Sequence, residues 1–184
     1  MNLLGAMAEC LKIFQRTFFY LNKVKNEPHH LEGLKQQWAS EIIEKLGIDV
    51  EIQGRPTLDE GVLFIGNHIS YVDIPLLMKC VPQISFVSKK EVAGWPIIGA
   101  GAKAANTVFV DRQNKFSRNT VSATVHEALK LGRRIALFPA GTTTQYETVD
   151  WKSGAFKIAQ RGNFKIQPFR IHYSPLRKVA YIDD

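Results

Sequence analysis

The chain has 184 residues, enough for one domain with a substantial core, and its apolar share of 45% and charged share of 22% are those of a folded globular protein. Lys and Arg outnumber Asp and Glu by 24 to 17, a formal charge of +7, which favours acidic lipid headgroups, nucleic acid, phosphorylated substrates or an acidic carrier protein. Two cysteines, Cys10 and Cys80, argue against a disulfide framework or zinc site and for a reducing cytoplasmic setting. No charge-free apolar run of roughly 18 residues reads as a membrane span, and Glu9, Lys12 and Arg16 interrupt the N-terminal apolar stretch where a signal peptide would be uncharged.

Residues 2 to 23 carry an amphipathic helical pattern: Leu3, Leu4, Met7, Leu11, Phe14, Phe18 and Leu21 share one arc, with Glu9, Lys12, Arg16 and Lys23 roughly opposite. Such a helix suits a membrane interface, and equally suits docking on the domain's own core. Pro28 breaks the pattern, and a second helix is predicted over Leu31 to Leu46, stopped by Gly47. Residues 1–48 thus form an N-terminal helical membrane-association segment ahead of a domain over 49–184. That domain's predicted strands are Asp49–Gln53, Val62–Gly66, Ile84–Ser88, Thr107–Val110, Ile135–Phe138, Lys165–His172 and Val179–Ile182, with helices near Ile74–Lys79, Phe116–Leu131 and Gly154–Gln160. The alternation predicts an α/β fold, a central mixed β-sheet covered by helices. The chain stops at Asp184 straight after a strand-like run, as an unusually compact or truncated domain would.

The sharpest local feature is Asn67-His68-Ile69-Ser70-Tyr71-Val72-Asp73, between the strand Val62–Gly66 and the helix at Ile74. Pro75 lacks a backbone N–H and fits only in the first helical turn, so the helix begins close to Asp73 and His68 lies in the strand-to-helix turn. Across that turn the Asp73 carboxylate can fold back to the imidazole, fix its tautomer and stabilise the imidazolium. The dyad would then serve as a general base acting on a substrate hydroxyl. Taken alone the spacing is weak, and Asp73 or Ser70 capping a helix would explain it as well.

Further blocks follow. Gly99 leads to Thr107-Val108-Phe109-Val110-Asp111-Arg112, where a strand-end Arg112 suits phosphate. Phe138-Pro139-Ala140-Gly141-Thr142-Thr143 is a tight polar turn with N–H groups and hydroxyls for an anionic or polyhydroxylic headgroup. Ile166-Gln167-Pro168-Phe169 is an apolar strand around a proline. With Asn67-His68…Asp73, these blocks resemble, in order, the glycerolipid acyltransferase family that includes bacterial lysophosphatidic acid acyltransferases. The resemblance covers roughly residues 62 to 170.

The resemblance implies a glycerol-phosphate-acyltransferase-like fold and acyl transfer from acyl-CoA or acyl-carrier protein to a lysolipid hydroxyl. His68 would be the base, Asp73 its partner, Asn67 or a backbone N–H the oxyanion support. Arg112, Gly141, Thr142, Thr143 and the position of Ala140 would meet the acceptor. The family's third block reads F-P-E-G-T-R. Ala140 replaces its glutamate, which is expected to weaken acceptor binding, and Thr143 replaces its arginine, which removes a phosphate contact. Variants of that kind resemble family members acting on lyso-ornithine lipids or other lysolipids, with lysophosphatidic acid also an acceptor in view. Lys89, Lys90 and Lys103 would help hold an anionic substrate, and Trp95 to Gly99 would line an acyl channel, touch lipid or pack in the core. No metal or other cofactor is expected, the partners are membrane lipids and the two substrates rather than nucleic acid, and the location is peripheral on the cytoplasmic face of a membrane. An inactivated or non-catalytic lipid-binding relative is the alternative, motivated by Ala140.

Overall fold

Strand β1, Leu63–Gly66, is apolar at every position and buried throughout, the signature of a strand covered on both faces. The computed structural model describes residues 3–111, 113–144 and 150–174. β1 lies between β4 (Arg134–Leu137) and β5 (Ile166–Phe169), and β4 pairs on its other side with β2 (Ile84–Lys89), which carries β3 (Val108–Val110) at the edge. All four pairings are parallel in the order β3-β2-β4-β1-β5. The α/β class is therefore as expected, while the described sheet is parallel rather than mixed. The strand predicted at Val179–Ile182 lies outside the described residues. Asp49–Gln53 is irregular and not a strand: the sheet ends at β5, whose Gln167 side chain instead holds the following segment by accepting from Thr57 N (2.6 Å) and donating to Arg55 O (3.0 Å).

Alternation along the strands builds two cores. Phe64, Phe86 and Ala136 face one side, where they meet α2 (Leu31–Lys45) and α3 (Asp73–Cys80) through Ala39, Leu77 and Met78. Leu63, Ile65 and Ile135 face the other, against α5 (Lys115–Lys130) and α6 (Gly154–Gly162) through Val125, Leu129 and Ile158. Helix α2 ends as its sequence signals: Gly47 at φ +62° lets Ile48 N reach Ile43 O (3.1 Å) and Gly47 N reach Glu44 O (2.9 Å), a Schellman closure.

The chain moves outward from β1 through α3 to β2, then through α4 (Ile98–Ala104) to β3, and returns through α5 to β4 and α6 to β5. Right-handed crossovers put the outward and return helices on opposite faces. Adjacent strands β1 and β4 therefore send their connections to opposite sides, which opens a crevice beyond their carboxyl ends. This is the topological switch point, where ligands bind in such sheets.

Helix α4 begins at Ile98, inside the apolar stretch Trp95 to Gly99, and runs on to Ala104, a helix absent from those the sequence pattern predicts. Gly99 makes its close approach possible, since a Cβ there would meet Ala93 O at 2.5 Å. The N-terminal helix, α1 (Leu3–Asn26), packs on α2 and α4. Among the described residues no helix is long and apolar enough to cross a membrane.

Candidate active site at the carboxyl edge of the sheet

Gly66 ends β1 beside Phe169 of β5, and the chain then turns through residues 67–72 into α3. The turn is organised by one side chain. Asp73 is the first residue of α3 and fully buried, and its carboxylate folds back over the loop. Oδ2 accepts from Ile69 N (2.7 Å), Ser70 N (3.1 Å) and His68 Nδ1 (2.7 Å), and Oδ1 accepts from Tyr173 Oη (2.6 Å). Four donors around one carboxylate offset the cost of burying it. An anionic carboxylate only accepts, so Nδ1 of His68 carries its proton and Nε2 is the ring's basic atom. Asp73 thus binds the loop and the ring rather than capping its helix, and Ser70 Oγ accepts from Val72 N within the turn (3.2 Å).

The ring is also clamped by packing. Phe138, at the end of β4, stacks on His68 with centroids 4.0 Å apart and planes at 14°, and Phe169 meets Phe138 edge-on at 5.9 Å. The turn after β4 is tied to the His68 loop by Thr144 N, which donates to His68 O (2.8 Å). Gly141 sits at φ +80° and donates to Phe138 O (3.0 Å), closing the turn around the buried Pro139 and Ala140. His68, Asp73, Ala140, Gly141, Thr142 and Thr143 therefore meet at the β1/β4 switch point. His68 remains partly accessible, with 13% of its side chain exposed against 0% for Asp73.

Asn67 pairs with the backbone of Ile171 twice: Nδ2 donates to its carbonyl (2.8 Å) and Oδ1 accepts from its N–H (2.7 Å). The side chain acts as a strut between β1 and the segment leaving β5. Arg112 lies outside the described residues. Lys90 faces Asp111 at 3.9 Å, and Lys103 lines a groove of about 720 Å³ beside β3 and α5 with Thr107, Phe109 and Arg133. Trp95 is exposed and meets Tyr71 of the His68 turn edge-on at 6.0 Å.

Two contributors went unnoticed in the sequence. Phe138 was visible as part of a motif, but nothing marked it as the ring's stacking partner. Tyr173 had no signal at all, because its contact with Asp73 spans 100 residues. Burial, with the neighbouring Asp73 charge and hydrogen bond, pushes its phenol far above the ordinary tyrosine range.

The family described as Acyltransferase matches residues 47–172. The chain is 33% identical over 143 residues to a lyso-ornithine lipid O-acyltransferase of Pseudomonas aeruginosa, covering 77% of this chain and 54% of that protein. It is 30% identical over 135 residues to a 1-acyl-sn-glycerol-3-phosphate acyltransferase of Neisseria meningitidis, covering 72% and 52%. It thus spans about half the length of these relatives. The crystal structure of the 1-acyl-sn-glycerophosphate acyltransferase PlsC from Thermotoga maritima shares the fold, with a TM-score of 0.58 at 18% identity over 86% of this chain and 73% of that one. A parallel α/β sheet with this switch-point crevice, and a family match running from the end of α2 to beyond β5, place the chain in the acyltransferase family.

Proposed function

We propose that this protein transfers an acyl group from a thioester, acyl-CoA or acyl-carrier protein, to the hydroxyl of a lysolipid at a membrane surface. The observation that carries the reading is the buried Asp73 carboxylate 2.7 Å from His68 Nδ1, at the β1/β4 switch point of the sheet. The chemistry follows from that geometry. Nε2 takes the acceptor's hydroxyl proton as the oxygen attacks the thioester carbonyl, and Asp73 stabilises the imidazolium that forms. The tetrahedral intermediate then collapses, expelling a thiolate that recovers the proton from Nε2. The protein needs no nucleophile of its own. The turn from Pro139 to Thr144 supplies polar groups for the acceptor headgroup, and its oxyanion support comes from backbone N–H groups of the two loops rather than Asn67, which is occupied as a strut.

Thr143 in place of an arginine removes one charge from the acceptor turn. This favours an acceptor that depends less on phosphate, and the similarity to lyso-ornithine lipid O-acyltransferases supports the same choice. The exposed apolar stripe of α1, with Leu11, Phe14, Phe18 and Phe19 on it, supports peripheral attachment to lipid.

The test is transfer of labelled acyl groups from both donors to a panel containing lyso-ornithine lipid and lysophosphatidic acid. The unsubstituted chain is to be compared with His68→Ala and Ala140→Glu. Turnover with lyso-ornithine lipid above lysophosphatidic acid, lost by about 10²-fold or more in His68→Ala, is expected, and a rise in Ala140→Glu would mark that position as acceptor-facing. Vesicle binding without turnover of any acceptor would replace the enzyme by a lipid-binding relative.

A further inference from the structure

We infer that Tyr173 is a positioning residue of the His68–Asp73 pair, acting through Asp73; the inference rests on the proposed role of that pair. Tyr173 lies one residue beyond the stretch matched by the family, on the irregular segment that follows β5. Its ring is buried in the core that also holds Phe64, Leu77 and Ile171. Its hydroxyl donates to Asp73 Oδ1 at 2.6 Å, while the other three donors converge on Oδ2.

This division of donors is what gives Tyr173 its role. A carboxylate on a short side chain can turn about its terminal bond, which is broad and roughly two-fold. Donors on both oxygens remove that freedom and hold Oδ2 toward His68. The phenol stays protonated, since burial and the adjacent anion both raise its pKa, so it serves as a fixed donor across the working pH range. Its own position is set from the dyad side of the fold. Asn67, the residue preceding His68, holds Ile171 through two hydrogen bonds of 2.8 and 2.7 Å, and Ile171 is two residues from Tyr173. The loop that carries the base therefore also anchors the segment that carries the tyrosine, and Tyr173 returns the connection to Asp73. His68, Asp73, Tyr173 and Asn67 form a closed circuit through β1, α3 and the β5 exit.

The experiment uses the full chain, Tyr173→Phe, and a chain with 3-fluorotyrosine at position 173. The readouts are lysolipid turnover and the downfield proton resonance of the His68–Asp73 hydrogen bond. In Tyr173→Phe, kcat is expected to fall about 10- to 100-fold, the size of one hydrogen bond to a charged group, with KM unchanged, and the resonance should broaden or vanish. The fluorinated phenol, a stronger donor that keeps the fold, should draw charge from Asp73 and move the resonance upfield while turnover persists. A purely structural tyrosine would lower the melting temperature and leave the resonance in place below it; that outcome overturns the inference, as does an unchanged resonance in the fluorotyrosine chain. If the unsubstituted protein turns over no lysolipid, the acyl-transfer reading fails, and the resonance still decides whether Tyr173 positions the pair.

Discussion

At the scale of single residues, Asp73 joins folding to chemistry, and its substitutions should separate the two. Asparagine keeps the shape. Its Oδ1 can accept from His68, Ile69 and Ser70 while its amide nitrogen faces the Tyr173 hydroxyl, which can turn to accept. Asp73→Asn should therefore fold at a cost of about 1–3 kcal/mol, the usual loss for a charged hydrogen-bond centre made neutral. Activity should nevertheless fall by up to about 10²- to 10⁴-fold, the range of general-base assistance, because the imidazolium has lost its counter-charge. Asp73→Ala leaves four donors facing a void, and urea unfolding should show it clearly less stable than Asp73→Asn. Equal stability of the two variants would mean that the carboxylate does not organise the turn. The pair was legible in the sequence because both members lie within one turn and Pro75 fixes where the helix starts. Tyr173 and the stacked Phe138 were not legible, because their contacts depend on sheet order, and sheet order is a non-local property.

At the scale of elements, Gly66 shows how the sheet sets the ring. A Cβ at that position would overlap the ring edge and the carbonyl oxygen of Phe169, both near 2.5 Å. Phe169 in turn meets Phe138, which stacks on His68. Gly66→Ala should push this aromatic series toward the base. Overpacking of this kind costs about 1–3 kcal/mol, and acyl transfer should fall further than the loss of folded protein explains. A second test concerns α1 and α2. Glu41 accepts from Arg16 Nε (2.6 Å) and Tyr20 Oη (2.7 Å), and Trp38 Nε1 donates to Thr17 Oγ1 (3.1 Å). Burial alone would raise the Glu41 pKa, but the hydrogen bonds from Arg16 and Tyr20 outweigh it and hold the carboxyl below 4.5. The same burial, with Glu41 beside it, pushes the Tyr20 phenol up to about 12. A carboxyl with a lowered folded pKa adds stability above its unfolded value and loses it as pH falls through the folded one. Docking of α1 should thus weaken as the pH falls below the ordinary glutamate range, as protease accessibility near residue 26 would report, and Glu41→Gln should remove that dependence. The helical wheel identified α1 but misjudged its docked face. Helix docking usually uses apolar residues, whereas here Arg16, Thr17 and Tyr20 make the contact, and the wheel counted Arg16 with the solvent side.

At the scale of the whole molecule, that polar docking decides what the apolar stripe does. Thr17 and Tyr20 are buried against the domain, while Leu11, Phe14, Phe18 and Phe19 remain 39–57% exposed. One face of α1 docks through polar side chains and the apolar face stays open. Away from α1, the exposed Phe, Tyr and Trp side chains among the described residues are Tyr71, Trp95, Phe116, Trp151 and Phe156, and each lies on a segment leaving the carboxyl end of a strand: β1, β2, β3 and, for the last two, β4. Large apolar side chains exposed near the opposite ends include Leu58, Leu131 and Ile166, all aliphatic. Tryptophan and tyrosine favour the headgroup region, and a cationic protein favours anionic lipid. The protein should therefore meet a bilayer with α1 and the crevice edge together. Brominated anionic vesicles should quench Trp95 and Trp151 and spare the inward Trp38, which single-tryptophan variants can resolve. Phe14→Ser combined with Phe18→Ser should weaken vesicle sedimentation by about tenfold or more, since each exposed aromatic contributes roughly 1.5–3 kcal/mol when fully buried in lipid, while leaving turnover of a detergent-dispersed acceptor intact. Quenching of Trp38 in preference to the other two would place the membrane elsewhere on the molecule. Loss of turnover in detergent as well would mean that α1 shapes the site itself rather than delivering it to the lipid.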